Sequence, residues 1–472
     1  MEKEKKVIGY LPDECPPIWK LLLYALQQVI VMFPATIVVA LISGFHISTT
    51  IFASGFATLV FILITGRQIP LYYGSSFSYL SAIIGFAGAV QYGEVLPDAA
   101  LSEAQFGIIL SGLVSIVAGL IIKRFGRQSI EKVLPSTVTG PIAMIIGLTL
   151  ASNALTDFLP AMTATEDGSF AFAEGGTNLH LLVAAVTLIS TIVFSVYCKG
   201  LWAQIPLLLG PLCGCAVAGI IILCGGPSLF RDLSSTAANT SGFFAIPHFT
   251  LPKPSLAAVV AIMPIAIATI PESTAHIFQL DIYINDLAKK KGSKKEYKLA
   301  DLLGLNLIGD GIGDMIAGFV GGPAGTNYGE NISCMAITKV FSVPVLIAAA
   351  VIAMIISCFT PLVNAIYAIP TAVIGGLEVY LFGAIAAQGI AIMIDKKTDM
   401  FDSKNIAIIA VEMVLGIGGN YAFGGVPIII GGKCYNLPCI AIAAIVGIIL
   451  NLLFSIKKEE PQAEAVSEEK TE

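Results

Sequence analysis

Charged side chains are scarce in this chain. Only 12% of its 472 residues are Asp, Glu, Lys or Arg, whereas soluble domains carry about 25%. Hydrophobic residues make up 56% of the sequence, and the mean hydropathy is +0.86. This composition excludes an ordinary soluble domain and predicts a membrane protein.

Histidine is also rare, and the cysteines form no recognisable ligand pattern. The four histidines stand far apart, at positions 46, 180, 248 and 276, and two of the nine cysteines, Cys213 and Cys215, lie inside an apolar run. Cysteine in such a run behaves as a small hydrophobic residue. Because metal sites need converging His or Cys ligands, the sequence predicts no metal site and no cofactor. A basic arm or aromatic platform is lacking too, so no nucleic-acid partner is expected.

Apolar runs long enough to cross a bilayer, about 20 residues each, occur throughout the chain. We count about fourteen, beginning near residues 17, 48, 69, 104, 135, 179, 202, 257, 302, 325, 342, 367, 404 and 437. They predict an all-α polytopic membrane protein of about 14 transmembrane helices. Residues 1–16 form a cytoplasmic amino-terminal segment in this interpretation, and residues 457–472 form a disordered acidic tail.

Lysine and arginine cluster in alternate loops. The run DLAKKKGSKKEYK at 286–298 carries six lysines, whereas YGEVLPDAALSE at 92–103 is acidic. Short cytoplasmic loops carry the excess of Lys and Arg in membrane proteins. An even number of spans with both termini in the cytoplasm fits every strongly basic loop, so we expect a multi-pass protein of the plasma membrane.

Two of the predicted spans, the third and the tenth, are interrupted by glycine and polar residues. The interruptions read GSSFS at 74–78 and GTNYGEN at 325–331. Fourteen spans divide into halves of seven, 17–235 and 236–456, which must have opposite orientations because seven is odd. Paired interruptions at corresponding positions point to the binding site of a transporter, since broken backbone at membrane depth must be buried in protein or line a cavity.

Ionisable residues at membrane depth are costly and usually face a cavity or a proton path. Glu272 and His276 lie four apart on the eighth span, and Glu330 lies in the tenth. Two carboxylates can accept two ring N–H groups of a planar ligand such as uracil or an oxopurine, and Phe77 and Tyr328 could stack on it. The structural alternatives are a simple Glu272–His276 pair and aromatic rings used only for packing.

Other polar residues in the apolar spans have two possible interpretations each. Asp310 and Asp314 in the ninth span either line the cavity or accept hydrogen bonds from nearby backbone amides, and the second reading is favoured. Gln27 and Gln28 in the first span either serve the site or bond to a neighbouring helix.

Four stretches carry a resemblance to a known family. They are GSSFSYLSAI, VLPSTVTGPIAMIIGL, PESTAHIF and GGPAGTNYGENISCMAITKVFS. They resemble the nucleobase–ascorbate transporter family, and within it the bacterial uracil–proton symporters most closely. The similarity runs from about Trp19 to Phe454.

The resemblance implies two inverted seven-span repeats that interleave. Spans 1–4 and 8–11 would form a core, spans 5–7 and 12–14 a gate, and short β-strands in spans 3 and 10 would build the site. Glu272 and Glu330 would bind the base, with help from the backbone near Phe77, Tyr328 and Gly329. His276 would join Glu272 in proton coupling. Members are commonly homodimers.

The tenth-span signature of the family is matched with one change. Glu330 at its head resembles uracil-type members, whereas xanthine and urate carriers usually have glutamine, and Ser333 stands where the family has glycine. The chain also departs from the uracil symporters at Gln28 and at Ser273. Four residues are expected to support the site: Gln28, Asn331, Ser333 and Thr338.

Together these features predict a transporter and not an enzyme. The expected activity is uptake of a nucleobase, uracil first, by proton symport through motion of the core against the gate, within membrane lipid. Two alternatives remain open. One is a xanthine or guanine carrier of the same family, and the other is an anion exchanger of the related fourteen-span fold, which two carboxylates in the site disfavour.

Overall fold

The computed structural model describes residues 9–88, 94–126, 132–159, 162–164, 170–172, 178–200, 202–232, 242–430 and 432–456. Three predictions fall wholly or partly outside these residues: the acidic tail 457–472, the beginning of segment 1–16, and the boundary between the halves at 235. The described chain is mainly helical.

The helices of the first half are numbered in chain order. They are α1 (Ile18–Ser43), α2 (Ile47–Ile64), α3 (Leu80–Ala87), α4 (Asp98–Phe125), α5 (Ser136–Thr149), α6 (Ala151–Phe158), α7 (Asn178–Tyr197) and α8 (Pro206–Leu223). A short 3₁₀ turn, Phe77–Tyr79, leads into α3.

The second half continues the numbering. Its helices are α9 (Leu256–Ile262), α10 (Ala266–Lys290), α11 (Leu303–Val320), α12 (Gly329–Thr338), α13 (Val343–Ser357), α14 (Thr360–Tyr367), α15 (Thr371–Asp395), α16 (Ser403–Met413), α17 (Gly419–Phe423) and α18 (Cys439–Ile456). A π-helical turn, Val414–Gly418, joins α16 to α17.

Many of these helices have the length and composition of membrane spans. Within the described residues, ten helical segments are long and apolar enough to cross a bilayer, and three shorter apolar helices accompany them. Large apolar side chains such as Leu223 and Phe401 are exposed on the surface, where lipid rather than water suits them. The prediction of an all-α multi-pass membrane protein is confirmed at this level.

Two short strands interrupt the helical structure in the middle of the fold. β1 (Tyr73–Ser75) pairs antiparallel with β4 (Gly325–Asn327), with Gly74 opposite Thr326. The strands approach closely because they carry glycine: a Cβ on Gly325 would lie 2.5 Å from the carbonyl oxygen of Gly74. The expected strands in the third and tenth apolar segments are therefore present. Two further antiparallel pairs are β2 (Met162–Ala164) with β3 (Phe170–Phe172), and β5 (Val426–Ile430) with β6 (Lys433–Leu437).

Helix α11 supports this strand pair from one side. Asp314 accepts a hydrogen bond from the backbone N–H of Gly325 at 2.8 Å and another from the hydroxyl of Tyr73. Asp310 accepts from the side-chain amide of Asn327 at 2.8 Å. Asp314 thus accepts from a backbone amide, as the structural interpretation of this pair predicted, whereas Asp310 accepts from a side-chain amide of the same broken segment.

Close backbone contacts join α4 to α11. A Cβ on Gly112 would lie 2.3 Å from the carbonyl oxygen of Gly311, and a Cβ on Gly311 would lie 2.3 Å from that of Gly112. Gly119 and Gly304 make a second contact of the same kind. Small residues that let backbones approach are typical of helix packing in membranes.

Candidate functional site

A cavity of about 350 Å³ lies where the two broken segments meet. Its walls come from α1, the end of β1, α5, the start of α8, α10, the end of β4 with α12, and α15. The volume falls within the usual range for small-molecule sites. The cavity is the natural place to look for the predicted site residues.

Helix α10 brings two of them to the cavity. Glu272 and His276 are one helical turn apart and both line it. Ser78 donates a hydrogen bond to Glu272 Oε2 at 3.4 Å. The imidazole of His276 is buried against Gly329, because a Cβ at that glycine would lie 2.9 Å from Nε2. Within the described residues, Nδ1 of His276 has no hydrogen-bond partner.

Helix α12 brings the third. Glu330 lies in the first turn of α12, which begins at Gly329 directly after β4 and Tyr328. The first amides of a helix have no partner within the helix and carry partial positive charge. The cavity therefore holds a carboxylate acceptor and backbone donors side by side.

The two predicted stacking rings are placed differently. Phe77 lines the cavity, and its ring packs edge-on against Phe382 of α15 with centroids 5.9 Å apart. The hydroxyl of Tyr328 donates to the carbonyl of Ser75 at 2.9 Å, and its ring lies over Gly74. The ring of Tyr328 is thus committed to internal packing, and its backbone N–H donates to the carbonyl of Tyr72 at 2.9 Å.

The four expected supporting residues divide in the same way. Ser333 lines the cavity. Asn331 and Gln28 bond to each other between α12 and α1, with Asn331 Nδ2 donating to Gln28 Oε1 at 2.8 Å, and Thr338 Oγ1 donates to the carbonyl of Cys334 at 2.8 Å. The side chains of these three residues make hydrogen bonds between or within helices and do not line the cavity. Gln28 therefore bonds to a neighbouring helix, which was one of its two predicted roles.

Sequence reasoning missed several polar residues of the cavity wall, among them Ser78, Gln279 and Gln388. Gln388 comes from α15, far along the chain from the broken segments. The sequence does mark Gln388, because it is an isolated amide in the apolar run LFGAIAAQGIAIMI, but that feature was not used to predict the site. Gln279 lies three residues after His276, on the same side of α10.

One expectation about histidine was wrong. His46 and His248 were expected to stay apart, yet their ring centroids lie 4.5 Å from each other, outside the cavity. Sequence separation gave no indication of this contact.

Taken together, the cavity offers two carboxylates, the start of helix α12 and an apolar wall. Such a set suits a small planar ligand with N–H and C=O groups on its rim.

A family model called Permease family (Xan_ur_permease) matches residues 19–425. The chain belongs to this permease family. The resemblance predicted from the four motifs is confirmed at that level.

Curated relatives of the permease span nearly its full length. It is 36% identical over 445 residues to the uracil permease of Bacillus caldolyticus, which covers 93% of each chain. It is 34% identical to the uracil permease of Bacillus subtilis, with 98% of each chain covered. It is 30% identical to the uracil permease of Escherichia coli K12, over 96% of this chain and 95% of that one.

Solved structures show the same fold at low sequence identity. The transmembrane domain of the cyanobacterial bicarbonate transporter BicA matches with a TM-score of 0.55 at 14% identity, over 92% of this chain and 97% of that one. The murine anion transporter Slc26a9 matches with a TM-score of 0.65 at 13% identity, over 94% of this chain and 69% of that one. The permease therefore shares the fold of these membrane transporters. Its membership of the permease family shows that it transports a small molecule and is not an enzyme.

Proposed function

We propose that this permease takes up a nucleobase, uracil, by proton symport across the plasma membrane. The observation that carries the proposal is the meeting of Glu272, Glu330 and the first turn of α12 at one cavity. The printed names of the full-length relatives support uracil as the base.

The binding mode follows from the donors and acceptors of both partners. The ring N–H groups of uracil donate to the carboxylates of Glu272 and Glu330, and its carbonyl oxygens accept from backbone amides near Phe77 and Gly329. The ring of Phe77 lies at the cavity wall, where it covers one face of the base. Such a bond is charge-assisted, and therefore stronger, when the carboxylate that accepts it is ionised.

Proton coupling is assigned to Glu272 and His276. Their positions one turn apart on α10 allow a proton taken up from outside to pass between carboxylate and imidazole. With that proton present, the base binds between the broken segments. The site then opens inward, and release of the proton to the cytoplasm weakens binding.

The architecture we propose is two inverted repeats, 17–235 and 236–456, with fourteen spans. The ten long helical segments, the three shorter apolar helices and α12 supply that number within the described residues. Packing supports the inversion: α4 packs on α11, and α2 packs on α13. In the predicted order these are spans 4 with 9 and 2 with 11, and exchanging the two halves converts one pair into the other.

The same assignment divides the cavity wall between a core and a gate. α1, α10 and α12 belong to spans 1–4 and 8–11, whereas α5, α8 and α15 belong to spans 5–7 and 12–14. A cavity between two such bodies opens to either side when one moves against the other, which is alternating access. We also propose a homodimer with both termini in the cytoplasm. This orientation is supported by basic residues at the ends of two helices: Lys123 and Arg124 in α4, and Lys289 and Lys290 in α10.

Uptake of labelled uracil into proteoliposomes tests the proposal, with and without an imposed proton gradient. We expect accumulation only with the gradient, and competition by unlabelled uracil but not by xanthine. Uracil uptake that is equal with and without the gradient contradicts proton coupling. Inhibition of the labelled uptake by xanthine but not by unlabelled uracil contradicts the choice of base. Undiminished uracil binding by Glu330→Gln contradicts the site.

A further inference from the structure

Three potential metal ligands converge away from the cavity. His46 lies between α1 and α2, Asp98 is the first residue of α4, and His248 lies in the segment before α9. One ligand atom from each lies within 4.8 Å of the others. Asp98 is at the opposite end of α4 from Lys123 and Arg124, so the cluster belongs to the face opposite the basic loops.

The geometry of the cluster is close to that of a zinc site. His248 Nε2 and Asp98 Oδ1 are 3.0 Å apart. Ligand atoms around a tetrahedral zinc ion, at bond lengths of about 2.0 Å, are roughly 3.3 Å from one another. All three ligand atoms lie within 4.8 Å of one another, so the set would close modestly around an ion.

Hydrogen bonds to backbone carbonyls hold the three segments together beside the ligands. Leu96 N donates to the carbonyl of Gly44 at 2.8 Å, which joins the chain before α4 to the turn after α1. Thr49 Oγ1 donates to the carbonyl of His248 at 2.6 Å, which joins α2 to the segment before α9. The ligands are therefore positioned before any ion arrives, and little ordering is needed on binding.

The three ligands differ in exposure. His46 is half-buried, whereas Asp98 and His248 are exposed. A cavity of about 590 Å³ adjoins the cluster, bordered by Pro97 and Tyr367, and leaves room for a water molecule.

We propose that His46, Asp98 and His248 bind one zinc ion, with water as the fourth ligand. Two histidines and a carboxylate with one open position form a set that zinc accepts. The ion ties the α1–α2 turn, the start of α4 and the segment before α9 into one unit on the outer face. This inference is independent of the substrate of the permease.

The test uses the full-length purified protein, stripped with a chelator and titrated with Zn²⁺. We expect one saturable zinc per chain and a rise in melting temperature with zinc concentration, because an ion that binds only the folded form stabilises it. The variants His46→Gln, His248→Gln and Asp98→Asn should each weaken binding at least about tenfold, since losses of mere second-shell partners already cost 10- to 100-fold.

Two control variants match these changes. Glu103→Gln removes a carboxylate from the same helix, where it pairs with Lys253 at 3.6 Å, and His180→Gln removes a histidine that contacts the carbonyl of Asp157. Both should bind zinc as tightly as the unchanged protein. Melting in chelator identifies any variant that fails to fold. The zinc affinities are then compared only for the ligand variants that do fold. Equal zinc affinity in the unchanged protein and a folded ligand variant overturns the proposal, as does the absence of saturable binding.

Discussion

Two groups of membrane carboxylates in this permease look alike in sequence and differ in structure. On α11, Asp314 accepts hydrogen bonds from Tyr73 and Gly325, and Asp310 accepts one from Asn327. Glu272 and Glu330 line the cavity; the one hydrogen bond we identify there from a side chain is the long contact of Ser78 with Glu272. Between these two groups, the number of hydrogen-bond partners together with the position at the cavity wall separates carboxylates that hold the fold from carboxylates that face a ligand.

The largest effect is expected at Asp314. Asp314→Ala leaves the buried O–H of Tyr73 without its acceptor, and an unsatisfied buried donor costs about 1–3 kcal/mol. It also removes the shorter of two hydrogen bonds from Gly325 N–H, which keeps the Tyr73 hydroxyl oxygen as acceptor at 3.1 Å. We expect a clear fall in melting temperature of the purified protein, with loss of uracil binding following from it. A variant that melts normally but has lost binding would move Asp314 into the ligand group and break the comparison.

A smaller effect, of the opposite kind, is expected at Glu330. Glu330→Gln should weaken uracil binding roughly tenfold or more, because a hydrogen bond to a charged group contributes about 1.5–3 kcal/mol, while the melting temperature without ligand stays nearly unchanged. Calorimetric titration and thermal melting measure the two quantities. A large drop in stability with intact binding would assign Glu330 to the fold.

Gly329 offers a way to sharpen the comparison at His276. A Cβ in Gly329→Ala would meet His276 Nε2 at 2.9 Å and push the ring away from its place; overpacking of this size costs about 1–3 kcal/mol. We expect weaker uracil binding and less gradient-driven uptake. Gly383→Ala is the matched control, because nothing lies within 4 Å of a Cβ there. Equal uptake in both variants would contradict the position given to His276.

The smallest effect is expected at a carboxylate outside the membrane. Asp13 accepts hydrogen bonds from the hydroxyl of Tyr297 and from Lys295 Nζ at 2.9 Å, and these, the tyrosine first, lower the pKa of Asp13. Its contribution is complete above the ordinary aspartate pKa and is lost as the pH falls through the lowered value.

Melting of Asp13→Asn and the unchanged protein at several pH values measures that contribution. At neutral pH the variant should be less stable by under about 1 kcal/mol, because the pair is largely exposed. The gap should close as the pH falls below about 4. A gap that persists in acid would mean that the charge of Asp13 is not what stabilises this contact.

Much of the site could be predicted from local patterns. Apolar runs located helices such as α1 and α13 to within a few residues, since hydrophobic length is a local property. Glycine and polar residues inside the third and tenth segments indicated the broken backbone, and the spacing of Glu272 and His276 placed both on one face. These inferences need no knowledge of which helices touch.

Inferences that depend on tertiary contacts were less accessible. Asn331 belongs to the signature of the cavity helix, yet its side chain bonds to Gln28 in α1. Gln388 reaches the cavity from α15, and His46 meets His248 across two segments. Each contact depends on how distant helices pack, and a polar residue in an apolar run carries no record of its partner.

The contact between α4 and α11 limits how this protein can change in evolution. A side chain at Gly112 would collide with the backbone carbonyl of Gly311, and the reverse holds equally. Every amino acid has that carbonyl, so no substitution on one helix can compensate for a larger residue on the other. We expect both positions to tolerate no replacement, singly or together, unless the two helices separate.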